Sequence, residues 1–241
     1  MTKKVNLLGI TFVSGDENEI INQFLKEKGY VVVPAGPALV DSENDAYFKF
    51  CLKNSTVAIL DSGFLVILNN LFNKNKIIRF SGLKYIRKVL EIINSDELEK
   101  SLWILPNEND VEATEKLLKS KKIVRFNFYV APQYQKSGPI IDEMLLSIVH
   151  KHNPKHIFIG LGGGTQERLG YFLNSKFKNQ SCIHCIGAAI GFLNGNQVYI
   201  PEFIDRIYFG WLWRCFSNPK LYIKRYLKAL KLLPIYLKSK N

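Results

Sequence analysis

Several absences narrow the reading before any motif does. Nowhere in the 241 residues do about eighteen uncharged apolar residues run together, so no segment reads as a bilayer-spanning helix. The opening Met1-Thr-Lys-Lys-Val-Asn-Leu-Leu-Gly-Ile carries basic residues but no long apolar run and no small-residue cleavage site, and reads as no signal peptide. Four cysteines (Cys51, Cys182, Cys185 and Cys215) are too few for a disulfide scaffold in a chain of this length. Cys182 and Cys185 enclose His184 in a C-x-x-C, but no second cysteine pair follows to complete a zinc site. Small buried residues in a reducing cytosol explain these thiols better than a metal does. No Asp-x-Asp, internal repeat, low-complexity tract or Pro/Ser-rich linker occurs.

Acidic charge is scarce where basic charge is dense. Lys and Arg number 33 against 21 Asp and Glu, a net charge of +12, which points to a polyanionic partner. After Asp205 there is no acidic residue, while Arg206, Arg214, Lys220, Lys224, Arg225, Lys228, Lys231, Lys238 and Lys240 are all basic. Ser217-Asn218-Pro219 is a good helix start. At about 100° per residue Lys220, Lys224, Lys228 and Lys231 share one face, beside a broad apolar remainder. With Trp211 and Trp213 ahead of it, this basic amphipathic helix suits an anionic membrane surface. The alternative is a solvated helix docked on its own domain. Nucleic acid is disfavoured, because the cations concentrate in one appendage and no DNA- or RNA-binding motif is present.

The rest has an ordinary globular composition, 47% apolar and 22% charged. Strands are expected at Val5–Val13, Tyr30–Val33, Thr56–Leu60, Leu102–Leu105, Ile123–Tyr129, Ile157–Ile159 and Cys182–Ile186. Helices are expected at Asn18–Lys28, Asp45–Lys53, Phe64–Phe72, Leu83–Ile93, Val111–Ser120, Pro139–His152 and Gln166–Leu173. Pro34-Ala-Gly-Pro37 reads as a loop, and Ile77–Phe80 as a short extended piece. The alternation predicts an α/β fold, a Rossmann-like, mostly parallel sheet covered by helices, over residues 1–205. Residues 206–241 form the basic membrane-docking appendage.

The chain is organised around His156-Ile-Phe-Ile-Gly-Leu-Gly-Gly-Gly-Thr-Gln-Glu167. A buried strand breaks into Gly160, Gly162, Gly163 and Gly164, then meets a helix start, a combination suited to an anion. The dinucleotide fingerprint G-x-G-x-x-G is not clean, since Thr165 stands where its last glycine belongs. A tight structural turn is the competing reading. Asp61, at a strand's C-terminal end, is a candidate general base or else the N-cap of the helix at Phe64.

From Pro154 to about Leu227 the chain resembles the WecG/TagA/CpsF glycosyltransferases. Three features carry this jointly: Gly160-Leu-Gly ending in Gln166-Glu167; Ile186-Gly-Ala-Ala-Ile-Gly-Phe192 with Gly195; and Trp211-Leu-Trp-Arg214 followed by Asn218-Pro-Lys220 and Arg225-Tyr226. Asp61-Ser-Gly63 and Arg79-Phe-Ser-Gly82 match the family more loosely. The resemblance implies inverting, metal-independent transfer of a sugar from a UDP-sugar to a polyprenyl-diphosphate-linked saccharide, with no cofactor, in surface polysaccharide biosynthesis. It implies a peripheral protein on the cytoplasmic, inner face of the cell membrane, and leaves room for a homo-oligomer. It makes Asp61 the catalytic base. Arg79, Gly160, Gly162, Gly163, Gly164, Gln166, Glu167, Arg214, Lys220 and Arg225 become substrate-binding residues. The chain departs from the family at Val33-Pro34-Ala35 for Thr-Pro-Asn, Pro106-Asn107 for Gly-Gly, and Gly164-Thr165 for Pro-Lys. These departures motivate the competing reading, a non-catalytic partner that binds nucleotide-sugar or lipid.

Overall fold

A computed structural model describes residues 2–178, 180–195 and 219–240. The chain opens with a hairpin, β1 (Lys3–Leu7) and β2 (Ile10–Ser14), where one strand from Val5 to Val13 was expected. The turn is Leu8-Gly9, both at positive φ (57° and 74°), which suits the twist of a two-residue hairpin. A leucine at such a position hides the turn from the sequence. After α1 (Glu17–Glu27) and β3 (Gly29–Val32), the expected Pro34–Pro37 loop is instead the start of α2 (Gly36–Ser42). Pro37 sits in the first turn, where a helix has no use for its N–H.

The order continues through α3 (Ala46–Lys53), β4 (Val57–Ile59), α4 (Gly63–Phe72), α5 (Gly82–Ile92), the short α6 (Ser95–Leu98), β5 (Ser101–Leu105) and α7 (Glu108–Ser120). Then come β6 (Asn127–Val130), α8 (Glu143–His152), β7 (His156–Ile159), α9 (Thr165–Phe177), β8 (Cys182–Cys185) and a 3₁₀ turn over Gly187–Phe192. Several boundaries move from those expected: α7 begins three residues earlier, α9 ends four residues later, and two starts are later. Ile123 folds back to cap α7, its N–H bonding Leu118 O at 3.1 Å, so β6 begins only at Asn127. Asp142 takes the N-cap of α8 by accepting from Leu145 N at 2.9 Å, so the residues from Pro139 stay outside the helix.

The eight strands form one sheet in the order β1-β2-β4-β3-β8-β7-β5-β6, antiparallel only at the hairpin. A β4–β3 half and a β8–β7–β5–β6 half thus join where β3 pairs with β8. The sheet is buried on both sides, with Tyr30, Val32, Ile157 and Ile183 facing one core and Val31, Trp103 and Phe158 the other. That alternation settles Cys182 and Cys185. Three apart on one strand, they enter opposite cores and do not form a common ligand pair. Among the described residues no three His, Cys, Asp or Glu side chains converge.

One core holds a polar chain. Tyr85 Oη lies 2.7 Å from His184 Nδ1, and His184 Nε2 lies 3.2 Å from His156 Nδ1. Burial holds both imidazoles below their usual range, His156 at about 4, so the chain is neutral and each ring nitrogen between them is paired.

The C-terminal helix expected from the charge pattern is two helices, α10 (Pro219–Ala229) and α11 (Leu232–Lys238). Lys231 stands at the N-cap of α11, outside the helix that carries Lys224. Both helices pack on α2, and α11 also on α4. Ala229, Leu232 and Tyr236 are buried there; Leu232 and Tyr236 belong to the main core. Gly36 makes room: a Cβ on it would stand 3.3 Å from Ala229 Cβ and 3.5 Å from Leu232 Cδ1. Among the described residues no helix is long and apolar enough to cross a membrane.

Deleting these helices would therefore remove core, not only surface, and a point variant is the cleaner probe. Leu232→Ala is expected to destabilise the protein by about 2–5 kcal/mol in urea unfolding. A loss under about 1 kcal/mol would mean that α11 is not seated as described.

Candidate functional site

A cleft of about 230 Å³ opens at the C-terminal ends of β3, β4, β7 and β8. The strand order explains the place. At the β3–β8 junction the following connections run apart, to α2 on one side and to the 3₁₀ turn on the other, and a crevice is left between them. Four helices, α2, α4, α5 and α9, begin at or beside its rim, so their N-terminal N–H groups concentrate positive potential there.

Asp61 follows β4 directly and lines the cleft. It is not the cap of α4: Ser62 Oγ takes that role, accepting from Leu65 N at 3.3 Å. Its carboxylate is instead held from the α5 side. Oδ1 accepts from Gly82 N at 3.1 Å and from Arg79 Nη2 at 3.2 Å, while Arg79 Nε bonds the Asp61 carbonyl at 2.7 Å. Oδ2 has no partner among the described residues. A carboxylate fixed through one oxygen with the other unengaged has the geometry of a proton acceptor. Both side chains are only partly exposed, 23% for Asp61 and 14% for Arg79, so the pair is not a loose surface contact.

The glycine loop divides its labour. Gly160 N bonds Ile104 O at 2.9 Å and prolongs the sheet. Gly164 N donates to Glu167 Oε2 at 2.6 Å, closing a capping box with its φ at +88°, a conformation that suits glycine. The amides left for the cleft are those of Gly162 and Gly163. Gly163 also lets the loop approach α2, since a Cβ there would stand 3.0 Å from Ala38 Cβ.

Gln166 and Glu167 act as a pair. Glu167 is fully buried; its Oε1 accepts from Gln166 Nε2 at 3.0 Å. That bond orients the amide and leaves Gln166 Oε1 buried without a partner. An orphaned buried acceptor at a cleft wall is suited to an N–H or O–H of a ligand. Burial pushes the Glu167 carboxyl up to about 7, against the opposing bonds from Gln166 and Gly164.

The sequence did not single out Arg168. Its guanidinium is buried and bonds Gly164 O at 2.8 Å, Gly138 O at 2.9 Å and Gln135 O at 3.0 Å, clamping the 135–138 connection to the glycine loop. Val33 and Ala35, with Leu83, Ala189 and Phe192, give the cleft an apolar wall. Pro106 and Asn107 do not line it: Asn107 caps α7, accepting from Asp110 N at 3.0 Å. Arg225 reaches the cleft from α10, and Lys220 falls in the first turn of that helix. Trp211, Trp213, Arg214 and the cap residues Ser217-Asn218 lie outside the described residues.

A family model described as the glycosyl transferase WecG/TagA/CpsF family matches residues 5–241. No curated protein matches the chain.

The Glu167 carboxyl makes a pH-dependent contribution to folding. Its folded value lies above the ordinary 4.5, so the contribution is fully present below about pH 4.5 and is lost as pH rises through about 7. Glu167→Gln removes it. The melting temperature of the variant relative to the parent is expected to be several degrees more favourable at pH 8 than at pH 4.5. A constant offset would mean that Glu167 does not titrate in this window.

Proposed function

Because the chain belongs to the WecG/TagA/CpsF family, glycosyltransferases of cell-surface polysaccharide biosynthesis, we propose that it transfers a sugar from a UDP-sugar to a polyprenyl-diphosphate-linked saccharide, with inversion and without a bound metal. The observation that supports this best is the convergence of Asp61, Arg79, Gln166, Arg225 and the Gly162–Gly163 amides on one cleft.

In this reading Asp61 Oδ2 takes the proton of the acceptor hydroxyl. The acceptor oxygen attacks C1 of the donor sugar opposite the diphosphate, the C1–O bond to phosphate breaks, and UDP departs with the electron pair. Arg79 and Arg225, with Arg214 and Lys220, offset the charge that develops on the diphosphate, as side-chain cations must where no metal does so. Helix N-termini at the rim add to this. Gln166 Oε1 accepts from the uracil imide or a ribose hydroxyl, and Glu167 holds the amide in that orientation. Val33 and Ala35 offer the donor apolar contact in place of hydrogen bonds. The basic appendage, residues 206–241, docks on the inner face of the cytoplasmic membrane, where the acceptor is found.

Calorimetric titration with UDP in chelator, and then with magnesium, tests the donor site. Binding in chelator is expected. Asp61→Asn is expected to keep that binding within a few-fold and to lower turnover by roughly 10²–10⁴-fold, the usual worth of a general base. Turnover within tenfold of the parent, or no UDP binding with liposomes present, sinks the proposal.

A further inference from the structure

Hydrophobic side chains at the described surface are not scattered. Of fourteen large exposed ones, eight lie on α4, α10, α11 and the short joint between the last two. On α4 they are Ile67, Leu71 and Phe72, with Leu71 71% exposed. The opposite side of the same helix, Leu65, Val66 and Leu68, fills the core. A helix apolar all round that is docked by one side leaves the other without a partner.

The C-terminal end of α4 meets the docked side of α11, so the outer faces of the two helices lie side by side. The Phe72 and Tyr236 rings lie 6.2 Å apart, Asn73 Nδ2 donates to Tyr236 Oη at 2.8 Å, and Lys240 Nζ bonds Phe72 O at 3.0 Å. Lys240 also stands over both rings, at 5.7 and 5.4 Å from their centroids, a cation at the edge of an apolar patch. Charge around the patch has one sign. No Asp or Glu occurs from residue 62 to residue 90, nor after 205, and these are the segments that meet here. Lys74 and Lys76 are exposed just past α4, as are Lys238 and Lys240 on the other side. The carboxylate that does border the helices, Asp41, is paired with Lys228.

We infer that α4 is a lipid-facing element in its own right: its Ile67–Leu71–Phe72 face enters the headgroup boundary of an anionic bilayer beside α11, with Lys74, Lys76 and Lys240 on lipid phosphates. The inference rests on the reading that the C-terminal helices dock on a membrane, and it extends the contact to a helix that the C-terminal charge pattern does not include. Lipid fits better than a second copy of the chain. A two-fold interface through this patch would bring the same lysines face to face. An anionic surface accepts both the apolar face and its cationic rim.

The test uses the full-length protein and vesicles of phosphatidylglycerol and phosphatidylcholine. Leu71→Asp is expected to weaken vesicle binding by about tenfold or more, the scale of one large apolar side chain withheld from lipid. Leu71 is exposed, so its melting temperature should stay that of the parent. An environment-sensitive probe on Leu71→Cys should shift to the blue on vesicles and be quenched by brominated lipid. Ile141→Asp, at an equally exposed site before α8, should leave binding unchanged. Vesicle binding by the parent with no response at position 71 overturns the role of α4 and leaves docking by the C-terminal helices standing. No vesicle binding by the parent overturns both. Equal loss from Ile141→Asp, or a dimer that Leu71→Asp dissociates while vesicle binding persists, also overturns the proposal.

Discussion

The parallel pairing of β3 with β8, from Gly29 opposite Cys182 to Val32 opposite Cys185, joins two halves of the sheet that have no other strand contact. The cleft depends on that seam. It brings the Asp61 end of β4 and the glycine loop after β7 to the same edge, one strand either side of the junction. It also depends on close packing behind the seam. A Cβ on Gly170 would fall 2.6 Å from Cys185 Sγ, so only glycine lets α9 lie this near β8. One helical turn earlier, the same helix presents Gln166 to the cleft. The position of the amide is thus set by backbone contact between α9 and the sheet.

Each carboxylate at the cleft is held by the amide at a helix N-terminus. Asp61 accepts from the first N–H of α5, and Glu167 from the amide that opens α9. Their surroundings then separate them. Asp61 is partly exposed and carries an arginine, whereas Glu167 is fully buried, and burial pushes its carboxyl up to about 7. Two acids lining one cleft thus differ in surroundings, one partly open to the cleft and the other bonded to the Gln166 amide.

Much of this could be read from the chain itself. The alternating strands and helices, the glycine loop and Asp61 at the end of β4 all rest on local patterns, which period and spacing report well. What escaped depended on contacts between distant segments. Asp61 was open as the cap of α4, and what takes it off the cap is its bonding to Arg79 and Gly82, which lie beyond the helix, while Ser62 caps instead. Leu8 carries no turn signal, because its positive φ is imposed by the hairpin it closes. The C-terminal charge pattern could not show that Leu232 and Tyr236 are core, since the groove they fill is made by α2 and α4. Arg168 gave no pattern because its three acceptors are carbonyl groups, which any sequence supplies.

The seating of Tyr236 against Asn73 also has a kinetic side. The two residues are 163 positions apart, so at about 5–20 residues per second a ribosome needs roughly ten to thirty seconds to make the second after the first. Throughout that interval the inner faces of α2 and α4 are without the helix that covers them. Closing the groove is a long-range event that local helix formation cannot hasten. The nascent chain therefore carries a sticky surface for far longer than its helices take to form, and whatever binds that surface in the meantime, chaperone or lipid, must leave before α11 can dock.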